Sequence, residues 1–134
     1  MNFVSTRIIT THVDRLVRFY EAVTGITATR YTEDFAELAT PACTLAIGST
    51  RTLALFGGQH VAEAAANRTT IIEFRADDVD ATYAGLSDLP AESLVQPPTT
   101  MPWGNRSLLF RDPDGNLVNV FTPVTPEAIA RQQR

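Results

Sequence analysis

Apolar and polar positions along this chain follow two alternating periods, and the periods switch in the same order twice. Residues 3–11 are β-branched and predict a strand. Val13, Leu16, Val17, Tyr20 and Val23 then recur at the spacing of one helical face, in a helix that starts at Thr11 or His12. Gly25 stands where a left-handed residue closes a helix. Strand-like runs follow at residues 27–31, 35–40 and 43–47. The second pass opens with a strand over residues 69–76. Asp77 or Asp78 then caps a helix carrying Val79, Tyr83 and Leu86 on one face. Further strands lie near residues 93–95, 107–111 and 116–121. Superposing His12-Val13-Asp14 on Asp78-Val79-Asp80 gives an offset of 66 residues, about half of the 134 in the chain.

The repeat predicts an α+β fold of two tandem βαβββ modules. Module one covers about residues 1–57 and module two about 69–124, joined by a linker over about 58–68 with an alanine run. Thr125-Pro126-Glu127 combines an N-cap residue, a proline at the first helical position and an acid in the first turn. It predicts a short helix over about 126–131, with a frayed tail as the alternative.

Composition narrows the partners. Net charge is −4 and there is no basic run, so neither nucleic acid nor an anionic membrane is an expected partner. The chain has no lysine, which excludes Schiff-base and lysine-base chemistry. A single cysteine, Cys43, allows no intrachain disulfide; it reads as a small strand residue or a reactive thiol. The N-terminal residues lack a basic region followed by a long apolar run, and no apolar stretch nears the ~20 residues that span a bilayer. A cytoplasmic protein is expected. No Gly-rich phosphate loop, nucleophile elbow or CxxC pair occurs.

The segment PWGNRSLLFRDPDGNLVNVF, residues 102–121, predicts a hairpin around Asp112-Pro113-Asp114-Gly115, a turn composition rather than a calcium loop. With these four residues as the turn, Arg111 opposes Asn116, Phe110 opposes Leu117, Leu108 opposes Asn119 and Arg106 opposes Phe121. One face then carries Arg106, Leu108, Phe110, Leu117, Asn119 and Phe121; the other carries Ser107, Leu109, Val118 and Val120.

This hairpin, together with VDRLVRFYEAVTG and DDVDATYAGL, resembles the vicinal-oxygen-chelate superfamily of glyoxalases, extradiol dioxygenases and bleomycin-resistance proteins. The resemblance covers nearly the whole chain. It implies a cupped mixed sheet around a pocket, a homodimer, and four metal positions. Those positions read Ser5, Ile47 or Ala54 depending on register, Ile71, and Asn119 where a glutamate is usual. None offers imidazole, carboxylate or thiolate, so no metal and no cofactor is expected. The only histidines, His12 and His60, fall at a helix start and in the linker.

The resemblance also makes the Asn119 face the pocket face, with Arg106, Leu108, Phe110 and Phe121 as lining. Arg7 points the same way from its own strand. Glu73, 66 residues later, is its expected ion-pair partner, serving either to fix the module pairing or as a polar anchor or acid–base group. Trp103 either stacks on a planar ligand or plugs the domain. Tyr31 and Phe35 either rim the pocket or simply pack. The expected function is metal-free binding of a small apolar or aromatic molecule, with antibiotic sequestration as its specific form. The alternative is a metal-independent lyase or isomerase using Glu73 as acid or base; a metal-dependent glyoxalase or dioxygenase ranks last.

Overall fold

Helix α1 (Val13–Thr24) forms because its apolar positions share one face, and that face is buried: Leu16, Val17 and Tyr20 are fully enclosed. His12 provides no side-chain cap; its backbone N–H donates to Thr10 Oγ1 at 3.1 Å instead. Gly25, at φ 73°, closes the helix by donating its N–H to the Glu21 carbonyl at 2.8 Å.

The computed structural model describes residues 1–133, which form two units. The first comprises Met1–Arg68 with Pro113–Gly115; the second comprises Thr69–Asp112 and the chain from Asn116 onward. In the first unit, strands β1 (Ser5–Thr10), β2 (Thr29–Thr32), β3 (Phe35–Ala39) and β4 (Thr44–Ser49) form one mixed sheet in the order β1-β4-β3-β2, with β1 parallel to β4. Thr10, Ala36, Leu38, Leu45 and Ile47 are buried on the face that packs against α1.

Beyond β4 the chain leaves the sheet. Ser49 Oγ accepts from the Arg51 N–H at 3.1 Å, and Thr52 Oγ1 donates to the Ser49 carbonyl at 2.6 Å, starting a 3-10 helix over Thr50–Leu55. Asp34 anchors this corner, accepting from Ser49 Oγ at 2.7 Å and Arg51 Nε at 2.8 Å. These two donors hold the Asp34 carboxyl below its ordinary range.

The second unit repeats the plan. Strands β5 (Ile71–Arg75), β6 (Leu94–Thr100), β7 (Asn105–Arg111) and β8 (Leu117–Pro123) run in the order β5-β8-β7-β6, with β5 parallel to β8. Helix α2 (Val79–Ala84) is short and is held by specific bonds. The Asp78 carboxylate accepts from the Ala81 N–H at 3.2 Å, and the Val79 N–H donates to Thr122 Oγ1 at 2.9 Å. Arg106 on β7 forms a bidentate pair with Asp80 on α2 (2.8 and 2.9 Å), which holds the Asp80 carboxyl below its ordinary range. Helix α3 (Pro126–Gln132) starts at Thr125, whose hydroxyl accepts from the Ala128 N–H at 3.2 Å. The architecture is α+β, built from two βαβββ repeats.

The hairpin between β7 and β8 differs from the sequence expectation by one residue. Asp112, not Arg111, closes against Asn116: its backbone N–H donates to the Asn116 carbonyl at 2.9 Å, and its carboxylate accepts from both the backbone and the side-chain nitrogen of Asn116. The loop is therefore Pro113-Asp114-Gly115, with Gly115 at φ 83°. Leu109 pairs with Asn119, Phe110 with Val118, and Ser107 with Phe121. A slip of one residue exchanges the faces of a whole strand. Arg106, Leu108 and Phe110 thus share the α2 face with Val118, Val120 and Thr122. Ser107 and Leu109 share the opposite face with Leu117, Asn119 and Phe121.

No helix among the described residues is long and apolar enough to cross a membrane.

Candidate functional sites on two sheet faces

In each unit the sheet face turned away from the first helix of that repeat carries the candidate residues. In the second unit two rows cross that face. One reads Glu73, Asn119, Leu109, Gln96; the next reads Arg75, Phe121, Ser107, Thr99. Asn119 is about nine-tenths buried, and its side-chain amide nitrogen donates to Glu73 Oε2 at 2.8 Å. That bond sets the amide's orientation, since the reversed amide would place oxygen against a carboxylate. Asn119 Oδ1 is left buried with no hydrogen-bond partner among the described residues. Ile71, Leu117, Leu109 and Phe121 surround this polar pair with apolar surface.

In the first unit the corresponding face carries Ser5, Arg7 and Ile9 on β1, Thr44, Ala46 and Gly48 on β4, and Phe35 and Glu37 on β3. The Arg7 guanidinium lies over two rings, 4.9 Å from the Phe35 centroid and 4.8 Å from that of Phe56. Tyr31 stacks beside Phe35 at 5.9 Å. Its phenol is hydrogen-bonded to Glu37, and losing the proton beside that carboxylate is unfavourable, so its pKa is raised.

Several expected site residues stand elsewhere. Arg106, Leu108 and Phe110 are on the α2 face. Leu108 and Phe110 are completely buried there, and Arg106 is paired with Asp80. Within its own unit Arg7 lies over aromatic rings, and within its own unit Glu73 accepts from Asn119. Trp103 is not a buried plug; it is 58% exposed, and its carbonyl accepts from Arg131. Ile47 faces α1, and Ala54 lies in the 3-10 helix, so neither register placed a side chain of β4 on the candidate face. Glu73, Asn119, Phe121 and Arg7 do lie on the faces turned away from α1 and α2.

Sequence reading passed over Phe56, Leu109, Ser107 and Gly48. Alternation about the correct hairpin register would have found Leu109 and Ser107. Phe56 reaches Arg7 only because the 3-10 helix turns the chain back.

The metal implied by the resemblance does not fit these faces. At the implied metal positions the first unit offers Ser5 with Thr44, Ala46 or Gly48, and the second offers Ile71 and Asn119; the carboxylates on the same faces, Glu37 and Glu73, stand one to a unit and are engaged by Tyr31 and Asn119. Hydroxyl, amide and aliphatic groups are poor ligands for the divalent ions of such sites. Among the described residues, no group of three or more His, Cys, Asp or Glu side chains is placed to hold a metal.

The fold, a βαβββ unit present twice with one sheet face turned away from α1 or α2 in each, defines a class of α+β protein. Within that class the chain belongs to the Glyoxalase/Bleomycin resistance protein/Dioxygenase superfamily, whose model matches residues 2–120. Two solved structures share the fold. A glyoxalase/bleomycin resistance protein/dioxygenase family enzyme from Burkholderia phytofirmans PsJN has a TM-score of 0.79 at 17% identity, covering 92% of this chain and 100% of that one. A glyoxalase/bleomycin resistance protein/dioxygenase from Nocardioides has a TM-score of 0.73 at 21% identity, covering 94% and 85%. Uncharacterized protein YraH from Bacillus subtilis (strain 168) is 32% identical over 59 residues, a match spanning 44% of this chain and about half (46%) of that relative.

Proposed function

We propose that this protein binds a small, largely apolar or aromatic molecule without a metal ion, in the manner of an antibiotic-sequestering member of its superfamily. One observation carries the reading: Asn119 stands where the resemblance places a metal-binding glutamate, and its amide is committed to Glu73 within an apolar surround. Apolar surface with a few oriented polar groups is the usual make-up of a small-molecule site. A homodimer belongs to the same reading and rests on the family resemblance alone.

The test combines elemental analysis with calorimetry on protein purified without an affinity tag. Zinc, iron, nickel and manganese are expected well below one equivalent. Bleomycin is expected to give saturable heat that survives treatment with a chelator. Stoichiometric metal, with binding lost on its removal, would defeat the reading.

A second reading is favoured by the Glu73–Asn119 bond itself. A carboxylate oriented by a buried amide has the arrangement of a positioned general base, with Glu73 Oε1 left to take a proton from a substrate carbon or hydroxyl. In a metal-independent lyase or isomerase, Glu73→Gln would lower turnover by about 100-fold or more while the folded circular dichroism spectrum is retained. Unchanged turnover in Glu73→Gln would remove Glu73 from the chemistry.

A further inference from the structure

Arg7 is held in place yet its hydrogen-bonding capacity is unused. Two aromatic rings fix the position of its guanidinium. They engage the positive charge but accept none of its five N–H donors. Among the described residues, no carboxylate, carbonyl or hydroxyl takes those donors either. The nearest acid in its row, Glu37, lies beyond Ala46 and is engaged by Tyr31. Arg7 runs alongside Gly48, where a Cβ would stand 3.7 Å from Arg7 Cδ, an ordinary packing distance.

The surroundings are aromatic and reachable. Arg7 is exposed, and so are Tyr31 at 60% and Phe56 at 59%, next to half-buried Phe35. A flat cation with unpaired edge donors, beside exposed rings, fits one ligand chemistry closely. A carboxylate matches the guanidinium fork with two parallel hydrogen bonds, and an attached aromatic ring continues the stack. The rings limit the motion of the arginine before the ligand arrives, which lowers the ordering cost of binding.

We propose that Arg7 anchors the carboxylate of a small aromatic acid, stacked on Phe35, Tyr31 and Phe56 of the first unit. This goes beyond the metal-free binding reading, which is carried by residues of the second unit, by placing a ligand class, planar aromatic carboxylates, on the first.

Naphthoate and its neutral counterpart naphthamide separate the two claims by calorimetric titration. Naphthoate is expected to bind saturably and naphthamide at least about tenfold more weakly. Arg7→Ala and Arg7→Lys are each expected to weaken naphthoate by about 10- to 100-fold while leaving naphthamide unchanged, since lysine keeps the charge but not the fork. Thermal midpoints of both variants confirm that the fold is retained. Naphthamide binding as tightly as naphthoate, or naphthoate unaffected by both substitutions, would overturn the role of Arg7 while leaving metal-free aromatic binding intact. Absence of naphthoate binding to the unaltered protein would overturn the ligand class, while the metal and bleomycin measurements judge the broader reading separately.

Discussion

Replacing Phe110 with alanine is expected to destabilise the protein by about 3–5 kcal/mol, the range for a fully enclosed aromatic ring whose removal leaves a cavity. Phe110 has no solvent exposure and lies on the α2 face of the second sheet, directly across from Val118. Leu108, Val118, Val120 and Val79 are likewise almost completely buried. They are sheet and helix residues, so they cannot collapse far into the space the ring leaves. A loss of this size takes a large part of the roughly 5–15 kcal/mol by which a domain is stable. Urea denaturation followed by circular dichroism measures it, with Leu109→Ala as the control. Leu109 is the preceding residue, points to the other face and is only half-buried, so its truncation should cost clearly less. Were Phe110 a pocket residue, the ranking would invert and ligand affinity would register the change instead.

That contrast shows where the sequence was informative. Element type came from periodicity: Val13, Leu16, Val17 and Tyr20 mark a helical face, and they are the residues α1 buries. The family was legible because the Asp-Pro-Asp-Gly turn and its flanking strands are local patterns. Face assignment failed because it depends on hairpin register, which the turn composition leaves open by one residue. Asp112 can serve as the first turn residue or as the last paired one. The structure selects the latter because its carboxylate binds both nitrogens of Asn116, leaving Gly115 to take the positive φ. The same limit applies to residues 53–56, LALF. Their composition is as strand-like as that of residues 118–121, VNVF, but hydroxyl bonds at Ser49 and Thr52 turn the first into a 3-10 helix. Arg7 and Glu73 were legible as charges on the face of their strands turned away from α1 and α2. Their neighbours were not, because the rings over which Arg7 lies and the amide that donates to Glu73 are brought there by tertiary packing.

Gly104→Ala carries the second large effect, and its cause is local. Gly104 is buried at φ 91°, a region that side chains avoid, in the turn closed by its N–H to the Met101 carbonyl at 2.9 Å. A Cβ at this site would fall 2.1 Å from Thr125 Oγ1 and 3.0 Å from Ala128 Cβ. Thr125 cannot simply move aside, because its hydroxyl caps α3 and the neighbouring Val124 N–H is bonded to the Gly104 carbonyl at 2.9 Å. The backbone conformation costs about 1–2 kcal/mol, the overpacking about 1–3 and a lost cap about 1, so a total of about 3–6 kcal/mol is expected. Gly58→Ala isolates the first contribution: its φ is 97° and a Cβ there meets nothing within 4 Å. The steric part should also be coupled to Thr125. Thr125→Ala removes the oxygen that the new methyl strikes, so the double variant should be more stable than the two single losses predict when added. Strict additivity in urea midpoints, or a Gly104→Ala loss no larger than that of Gly58→Ala, would show that α3 does not pack against this turn as the structure has it.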